Sequence, residues 1–363
     1  MKNQTVQDRF PLRNIYFYLT DSCNQRCRHC WISPRYQASG TPRTFLDTGL
    51  FQSIISQAKP LGLEEVKLTG GEPLLHPEFD ALLETVKKEN LHLTLETNGL
   101  LCTLELAEKI AACKRSFVSV SLDGAEADSH EWVRRTEGCF EQTVTGIKNL
   151  VEAGLKPQII MTMMECNKGQ TAELVTIAES LGAGSVKFNI LQPASRSRNM
   201  FESGQNLSIN ELVKLGTWVE NVLSRNSGIP LFFSHPLAFR PLGRMFSEHG
   251  PRCGVCGILK ILGVLANGSY AMCGIGESVE DLVFGSALEN NLNEIWHNTP
   301  ILNELREGLP GRLKGTCSRC LLKEKCLGCC IAENFFTSKD LWNPFWYCEE
   351  AMKSGVFPRT RLR

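Results

Sequence analysis

The stretch NIYFYLTDSCNQRCRHCW, residues 14–31, joins a short apolar run to three closely spaced cysteines. These cysteines, Cys23, Cys27 and Cys30, have the spacing C-x3-C-x2-C. A closed structural zinc site uses four ligands, and a disulfide framework needs an even number of cysteines. Three thiols directly after a strand-like run therefore predict a metal site in which one coordination position is left open.

The composition favours a protein that binds metal through reduced thiols. The chain has 363 residues, 42% of them apolar, 16 cysteines and a formal net charge of zero. A net charge of zero means that the chain lacks the excess of basic residues that binds a nucleic-acid backbone. In addition, no apolar run approaches the ~20 residues of a membrane span. The polar start MKNQTVQDRFPLRN lacks the apolar core of a signal peptide. We therefore expect a cytoplasmic protein with no nucleic-acid or membrane partner, where thiols stay reduced.

Six short apolar segments, many of them β-branched, are typical of parallel strands. They cover residues 14–20, 65–69, 92–96, 117–121, 158–164 and 186–190. Between them lie stretches with apolar residues at helical spacing. This alternation predicts the α/β class, with a partial (β/α)6 TIM-like barrel followed by a small cysteine-rich domain. A doubly wound open sheet is the alternative, although no G-x-G-x-x-G follows the first strand.

Polar motifs stand where the predicted strands end. Cys23 follows the first strand, and the next four motifs are residues 69–73 (TGGEP), 97–99 (TNG), 121–124 (SLDG) and 189–193 (NILQP). The chemistry of such barrels collects at the carboxyl ends of the strands. We therefore expect these motifs to meet at one site.

Nine of the 16 cysteines fall between Cys253 and Cys348, which marks a second functional region. Taken alone, the C-x2-C pairs of this region are equally typical of zinc knuckles. The predicted organisation is an N-terminal segment, a barrel, a linker, a cysteine-rich domain and a C-terminal tail. Their predicted bounds are 1–13, 14–230, 231–252, 253–350 and 351–363.

The motif of Cys23, Cys27 and Cys30 with Trp31 beside it resembles the signature of the radical S-adenosylmethionine (SAM) enzymes. The resemblance implies that these catalytic cysteines hold a [4Fe-4S] cluster whose remaining iron binds SAM. It further implies that an electron breaks the sulfonium bond of SAM, and that the resulting 5′-deoxyadenosyl radical removes a hydrogen atom from the substrate. A reductant such as flavodoxin or ferredoxin is the implied source of the electron.

The resemblance also implies a set of SAM-binding residues. Gly70, Gly71, Glu72 and Pro73 match the GGE motif of the family, which holds the methionyl amino group. Glycines let a backbone approach a ligand closely, and a carboxylate suits an ammonium group. The other implied SAM-binding residues are Trp31, Asn98, Ser121, Asp123, Arg134 and Leu191, with Arg135 as the alternative to Arg134.

The C-terminal cysteines resemble the SPASM domain, an extension of radical SAM peptide and protein modifiers that often holds two auxiliary [4Fe-4S] clusters. By this resemblance the first auxiliary cluster uses Cys253, Cys256, Cys273 and Cys330. The second uses Cys317, Cys320, Cys326 and Cys348. Cys329, beside Cys330, is a competing ligand.

The leading hypothesis is a radical SAM/SPASM oxidoreductase of the peptide-maturase type, also known as a RiPP maturase. It would crosslink, epimerise or oxidise a residue of a peptide or protein, or form a thioether there. One alternative is an enzyme that modifies tetrapyrroles such as haem precursors. An alternative of another class is a non-catalytic iron–sulfur or zinc protein that carries electrons or docks a partner.

Two further features bear on the substrate. Only 13 residues precede the first predicted strand, too few for a winged-helix leader-binding domain. A peptide substrate would then be captured by a separate leader-peptide-binding protein or by the SPASM domain itself. The residue after Cys273 is Gly274, where sulfatase-maturing members of the family have an Asp. This difference argues against that activity.

Overall fold

The protein folds into a ten-stranded sheet flanked by helices. The structure is a computed structural model that describes residues 10–32, 34–36, 43–246 and 256–363. Cys253 and residues 247–252 of the predicted linker lie outside the described residues, as do residues 1–9. The strands of the sheet are β1 Asn14–Tyr18, β2 Glu65–Thr69, β3 His92–Thr97, β4 Phe117–Ser121, β5 Gln158–Met163, β6 Ser185–Ile190, β7 Leu231–Phe233, β8 Ile261–Val264, β9 Ser269–Ala271 and β10 Val283–Ser286. A separate parallel pair, Ser22–Cys23 and Arg35–Tyr36, flanks the cysteine motif.

The strands lie in the order β10-β9-β8-β1-β2-β3-β4-β5-β6-β7. All pairs from β8 to β7 are parallel, whereas β9 and β10 are antiparallel. The six predicted strands are confirmed as β1 to β6, and the α/β barrel class is confirmed with them. Strand β7, which pairs with β6, begins directly after the predicted barrel boundary at residue 230. The domain boundaries themselves remain predictions.

Strand β8 attaches the cysteine-rich region to the barrel sheet. It pairs in parallel with β1, from Asn14 opposite Ile261 to Phe17 opposite Val264. The chain that follows Cys256 therefore runs beside the strand that leads to Cys23. This pairing brings the two cysteine regions to one side of the molecule.

Helices connect the strands and cover the outer face of the sheet. Those of the barrel region are α1 Thr48–Ala58, α2 Phe79–Lys88, α3 Leu104–Ala111, α4 Ala127–Arg134, α5 Cys139–Glu152, α6 Thr171–Ser180, α7 Arg198–Glu202, α8 Ile209–Trp218 and α9 Leu242–Phe246. Those of the cysteine-rich region are α10 Leu292–Asn298, α11 Pro300–Gly308, α12 Gly315–Arg319, α13 Lys323–Cys326, α14 Ile331–Ser338 and α15 Trp346–Lys353. Within the described part of the chain, no helix is both long and apolar enough to cross a bilayer.

The two faces of the barrel strands differ in chemistry because successive side chains point to opposite sides. Ile15 and Phe17 of β1 are fully buried on the outer face, where the rings of Phe17 and Phe51 lie 4.5 Å apart. Tyr16 of β1 and Lys67 of β2 instead line an interior cavity. The outer face thus anchors the helices, while the polar inner face leaves room for a ligand.

Candidate active site

The loop after β1 brings Cys23, Cys27 and Cys30 to one cavity of about 320 Å³. Cys23 and Cys27 are buried, and Cys30 is partly exposed. Arg134 Nη1 donates a hydrogen bond to Cys27 Sγ over 3.6 Å. Burial raises the pKa of the Cys27 thiol to about 11, against the opposing charge of Arg134. Because a metal ligand must lose its thiol proton, a bound metal would add positive charge to that of Arg134 and favour the thiolate form of Cys27.

The glycine pair after β2 packs directly against the segment that leads into the cysteine loop. Gly70 has a φ of 132°, a conformation that favours glycine. A Cβ on Gly70 would lie 2.8 Å from the Thr20 carbonyl oxygen, and one on Gly71 would overlap the Ser22 carbonyl. The Gly71 N–H donates to the same Thr20 oxygen at 2.9 Å. The glycines therefore hold the following Glu72 at a fixed distance from the cysteine loop.

Glu72 is a buried carboxylate that faces the cavity. It accepts hydrogen bonds from Thr97 Oγ1 at 2.7 Å, from the Asn98 N–H at 2.9 Å and from the Leu74 N–H at 3.2 Å. Burial nevertheless raises the pKa of Glu72 to about 7. An ammonium group in the cavity would favour the ionised form, since an opposite charge nearby lowers the pKa of a carboxyl group.

Asp123, which is fully buried and does not line the cavity, forms an ion pair with Arg134 and holds it in place. Arg134 Nη2 lies 2.6 Å from Asp123 Oδ2, and His29 Nε2 lies 2.7 Å from the same oxygen. Burial alone would raise the pKa of Asp123, but the charges of Arg134 and His29 hold that pKa well below its usual range. Arg134 faces the cavity, whereas Arg135 is exposed on the protein surface. The geometry favours Arg134 over Arg135 as the residue that meets an anionic group.

The predicted SAM-binding residues divide into two groups. Those that line the cavity are Trp31, Gly70, Gly71, Glu72, Asn98, Ser121 and Arg134. Among the described residues, Pro73, Asp123 and Leu191 are buried outside the cavity lining. The Leu191 side chain packs with Val133, Met164 and Met200. The roles of both groups in SAM binding remain predictions.

Three cysteines of the predicted first auxiliary set, Cys256, Cys273 and Cys330, line the same cavity as the cysteine loop. Cys253 lies outside the described residues. Burial raises the pKa of the Cys273 thiol to about 12. The two predicted cluster sites therefore share one cavity between the barrel and the cysteine-rich region.

Gly274, directly after Cys273, packs against the Tyr18 ring. A Cβ at this position would overlap the ring of Tyr18, whose side chain also lines the shared cavity. The close approach requires glycine here. An Asp in place of Gly274 could enter only if Tyr18 moved.

The predicted second auxiliary set gathers at a separate, small cavity of about 20 Å³. Cys317, Cys320, Cys326 and Cys348 all line it. Cys329 instead forms a hydrogen bond with Cys326 and lines a third cavity, which Cys326 also lines. The neighbouring residues Cys329 and Cys330 thus line different cavities.

We predict that these neighbouring cysteines respond differently to substitution. Reconstitution under anaerobic conditions should give about 12 irons per chain for three four-iron clusters. Cys330→Ala should lose about four of them, while Cys329→Ala should keep them all, because Cys330 alone of the pair faces Cys256 and Cys273. Iron, sulfide and zinc per chain are the measurements. Iron loss in Cys329→Ala with full loading in Cys330→Ala would reverse the assignment, and near-stoichiometric zinc would remove the auxiliary clusters.

The residues of the shared cavity fit an iron–sulfur cluster with SAM. Thiolates are the ligands of such clusters, and the cavity volume is within the range of small-molecule sites, about 300–1,000 Å³. Two buried nitrogens of cavity-lining residues, Arg134 Nε and Gln25 Nε2, have no hydrogen-bond partner among the described residues. Such orphaned donors indicate that a ligand completes the site. Across the described residues, no group of three or more His, Cys, Asp or Glu is arranged to hold a single metal ion.

Three polar residues of the barrel interior belong to none of the sequence motifs. Lys67 Nζ lies 2.5 Å from Glu96 Oε1 and 4.6 Å from the centre of the Tyr16 ring. All three residues line the cavity between the predicted SAM site and Cys256. A sequence signal did exist, because these residues occupy the inward positions of strands whose outward positions are apolar.

Comparisons with known proteins agree with this geometry. Residues 17–180 match the model of the radical SAM superfamily, and residues 253–321 match that of the SPASM iron–sulfur cluster-binding domain. The chain is 29% identical over 330 residues to the AdoMet-dependent heme synthase of Methanosarcina barkeri, covering 87% of this chain and 90% of that protein. It is 27% identical over 351 residues to the mycofactocin maturase MftC of Mycobacterium tuberculosis, covering 94% and 84%.

A solved structure shares the fold of nearly the whole chain. The crystal structure of Streptococcus suis SuiB bound to S-adenosylmethionine superposes with a TM-score of 0.72 and 19% identity, covering 94% of this chain and 77% of that one. The fold, the three-cysteine cavity and the matched domains define an enzyme of the radical SAM class. Within that class, the chain belongs to the radical SAM enzymes that carry a SPASM domain. Its cofactors are SAM, a [4Fe-4S] cluster in the radical SAM domain and auxiliary iron–sulfur clusters in the SPASM domain.

Proposed function

We propose that this enzyme removes a hydrogen atom from a residue of a peptide or protein. The observation that carries the proposal is the shared cavity, because the three-cysteine loop and three of the predicted auxiliary ligands open into one space. A substrate in this space would contact both regions. The similarity to the mycofactocin maturase over 94% of the chain supports a peptide substrate. The structural relative SuiB has been solved with its precursor peptide SuiA.

In this proposal the residues of the cavity hold SAM from several sides. Cys23, Cys27 and Cys30 would hold the cluster, which when bound supplies the electron that cleaves SAM to the 5′-deoxyadenosyl radical. The buried carboxylate of Glu72 would bind the methionyl ammonium group. Arg134, whose Nε lacks a partner among the described residues, would bind the methionyl carboxylate.

We propose that the substrate is oxidised overall. Cys256, Cys273 and Cys330 together with Cys253 would close the first auxiliary site with four thiolates, leaving no position there for a substrate thiol. The second set of four cysteines lies at its own cavity. Closed sites favour a role in electron transfer, in which the substrate gives up an electron after hydrogen abstraction, so the expected product lacks two hydrogens. A product of changed stereochemistry and equal mass would instead be redox-neutral.

We also propose where the enzyme works and which partners it has. The enzyme would work in the cytoplasm, where thiols stay reduced. Flavodoxin or ferredoxin would deliver the electron, and a separate protein would present the leader of the peptide substrate.

The test uses a short precursor peptide encoded near the gene. Incubation with the reconstituted enzyme, SAM and reductant should raise the yield of 5′-deoxyadenosine and give a peptide lighter by two hydrogens. An epimer of equal mass would support hydrogen abstraction from the peptide but contradict the net oxidation. Deuterium on the target residue should appear in 5′-deoxyadenosine. Mass spectrometry of both products is the measurement. Heat-treated enzyme and peptide without SAM are the controls.

Modification of a tetrapyrrole is the second candidate function. The observation that favours it is the 29% identity to an AdoMet-dependent heme synthase, with 90% of that protein covered. If an iron porphyrin raises 5′-deoxyadenosine formation and releases carbon dioxide while neighbouring peptides leave the basal rate unchanged, the peptide proposal is wrong and this second one stands.

A further inference from the structure

A third cavity, here called the basic cavity, has a volume of about 340 Å³ and is lined by Gln158, Lys187, Ser234, His235, Arg240 and Cys326 among others. Phe117 and Gln158, the first residues of β4 and β5, both contribute to its lining. The basic cavity therefore includes the amino-terminal ends of β4 and β5, and none of its described lining residues belongs to the lining of the predicted SAM site. The proposed function uses none of its side chains apart from Cys326.

Two cations, Lys187 and Arg240, line the basic cavity, and no carboxylate stands beside them in its described lining. Among the described residues that line it, none is an Asp or a Glu. Lys187 is attracted by Glu96, but Glu96 is already paired with Lys67 at 2.5 Å. Burial lowers the pKa of Lys187, and the nearby charges of Lys67 and Arg240 act in the same direction. The two cations thus repel each other inside the protein.

Arg240 is the more deeply buried of the two. Its residue is 8% exposed, and its Nε has no hydrogen-bond partner among the described residues. His235, a third basic side chain, differs because its Nε2 lies 3.1 Å from Glu220 Oε2. Burying a charge without a partner is costly, and proteins avoid it unless a ligand or an ion compensates the charge.

We propose that the basic cavity binds a carboxylate or phosphate group between Lys187 and Arg240. A guanidinium group matches the geometry of both anions, and an ammonium group adds a compact charge beside it. The volume is sufficient for a small anionic molecule or for an anionic side chain of a larger one. The anion is therefore either free or part of the substrate, and the second case rests on the proposed function.

One competing source of negative charge is the second auxiliary cluster. Cys326 lines both the basic cavity and the small cavity of the second auxiliary set. An anionic cluster there could compensate Lys187 and Arg240 with no ligand in the basic cavity. The experiment must separate these two cases.

Calorimetric titration of the reconstituted full-length enzyme with inorganic phosphate and with acetate tests the proposal, at constant ionic strength and without reductant. At least one probe should bind saturably, and acetamide, the neutral counterpart of acetate, should not bind. Lys187→Met and Arg240→Met should each weaken the anion about tenfold or more, as expected for loss of a hydrogen bond to a charged group. Lys214→Met and Arg225→Met, the same changes at exposed positions, should leave the affinity unchanged.

Thermal unfolding is a second test of the proposal, because the substitution is expected to raise the melting temperature rather than lower it. Without an anion, Lys187→Met should melt at a higher temperature than the parent enzyme, because the substitution removes a partly buried cation that repels Arg240. A saturating anion should close this difference, since it stabilises the parent enzyme more than the variant. If Lys187→Met does not fold, Lys187→Gln is the substitute.

Each possible result of these experiments either supports the proposal or contradicts it. Saturable binding that raises the KM of the peptide substrate places the anion on the substrate, while binding without an effect on KM indicates a free anion; both support the proposal. Absence of saturable binding by either probe overturns it, as does equal weakening by the exposed pair of substitutions. If no probe binds and the variants instead shift the midpoint potential of an auxiliary cluster, the cluster compensates the cations and the proposal is wrong. The titration needs no SAM cleavage, so its failure leaves the proposed function standing.

Discussion

Replacing Cys23, Cys27 and Cys30 together by Ala should reduce SAM cleavage to background. All three thiols line the cavity that Glu72 and Arg134 also face, so the variant would lose the cluster site while keeping the rest of the pocket. Iron should fall from about 12 to about eight per chain, because the C-terminal cysteines are untouched. Formation of 5′-deoxyadenosine under reducing conditions and iron content are the measurements.

A matched control is available within the same chain. Cys102, Cys113 and Cys139 are buried but lie outside the cavity, where they pack as small apolar side chains. Replacing these three by Ala should keep both the iron content and SAM cleavage. If the first variant still forms 5′-deoxyadenosine at the parent rate, the cysteine motif has been misinterpreted.

Replacing Gly71 by Ala should be the most damaging single substitution of the SAM site. The new Cβ would overlap the Ser22 carbonyl, which belongs to the backbone and cannot rotate away. Relief requires the cysteine loop and Glu72 to move apart. We expect the free energy of unfolding to fall by about 3 kcal/mol and SAM binding to weaken about tenfold or more. Denaturant unfolding and equilibrium binding of SAM are the measurements.

Gly169 provides the control for this substitution. A Cβ on Gly169 would meet nothing within 4 Å, so Gly169→Ala should bind SAM like the parent enzyme. Its stability should be unchanged or slightly higher, because alanine loses less conformational freedom on folding than glycine. If Gly71→Ala behaves like Gly169→Ala, the glycine pair is not the spacer that we infer.

Local sequence patterns were sufficient to predict the barrel. Each of β1 to β6 is a short apolar segment followed by a polar motif, and the ends of these strands differ from the predicted ones by at most two residues. Strand β7 was missed because LFF at 231–233 is too short to stand out between turn-rich segments. Strand β8 was missed because parallel pairing with β1 joins residues about 250 positions apart, and nothing local records such a contact.

For the cluster sites, too, the sequence predicted part of the arrangement and only the tertiary structure showed the rest. The spacing of Cys23, Cys27 and Cys30 predicted a three-thiol site, and the resemblance to known families predicted the grouping of the C-terminal cysteines. Spacing could not decide between Cys329 and Cys330, because adjacent residues have the same distance along the chain from every partner. The backbone decides it: Cys329 has a φ of 64°, and the two thiols face different cavities.

The sequence alone therefore determined the class of the enzyme, since short motifs of fixed spacing carry the predicted ligands of the cluster and the glycines that we expect to approach SAM. The tertiary structure decided which distant groups meet. It paired β8 with β1 and so opened two predicted cluster sites into one cavity. It also placed Lys187 and Arg240 together without a carboxylate in the described lining of their cavity. Contacts between such distant residues depend on the packing of whole strands and domains. Burial strengthens the contacts between charged groups, because charges interact more strongly away from water.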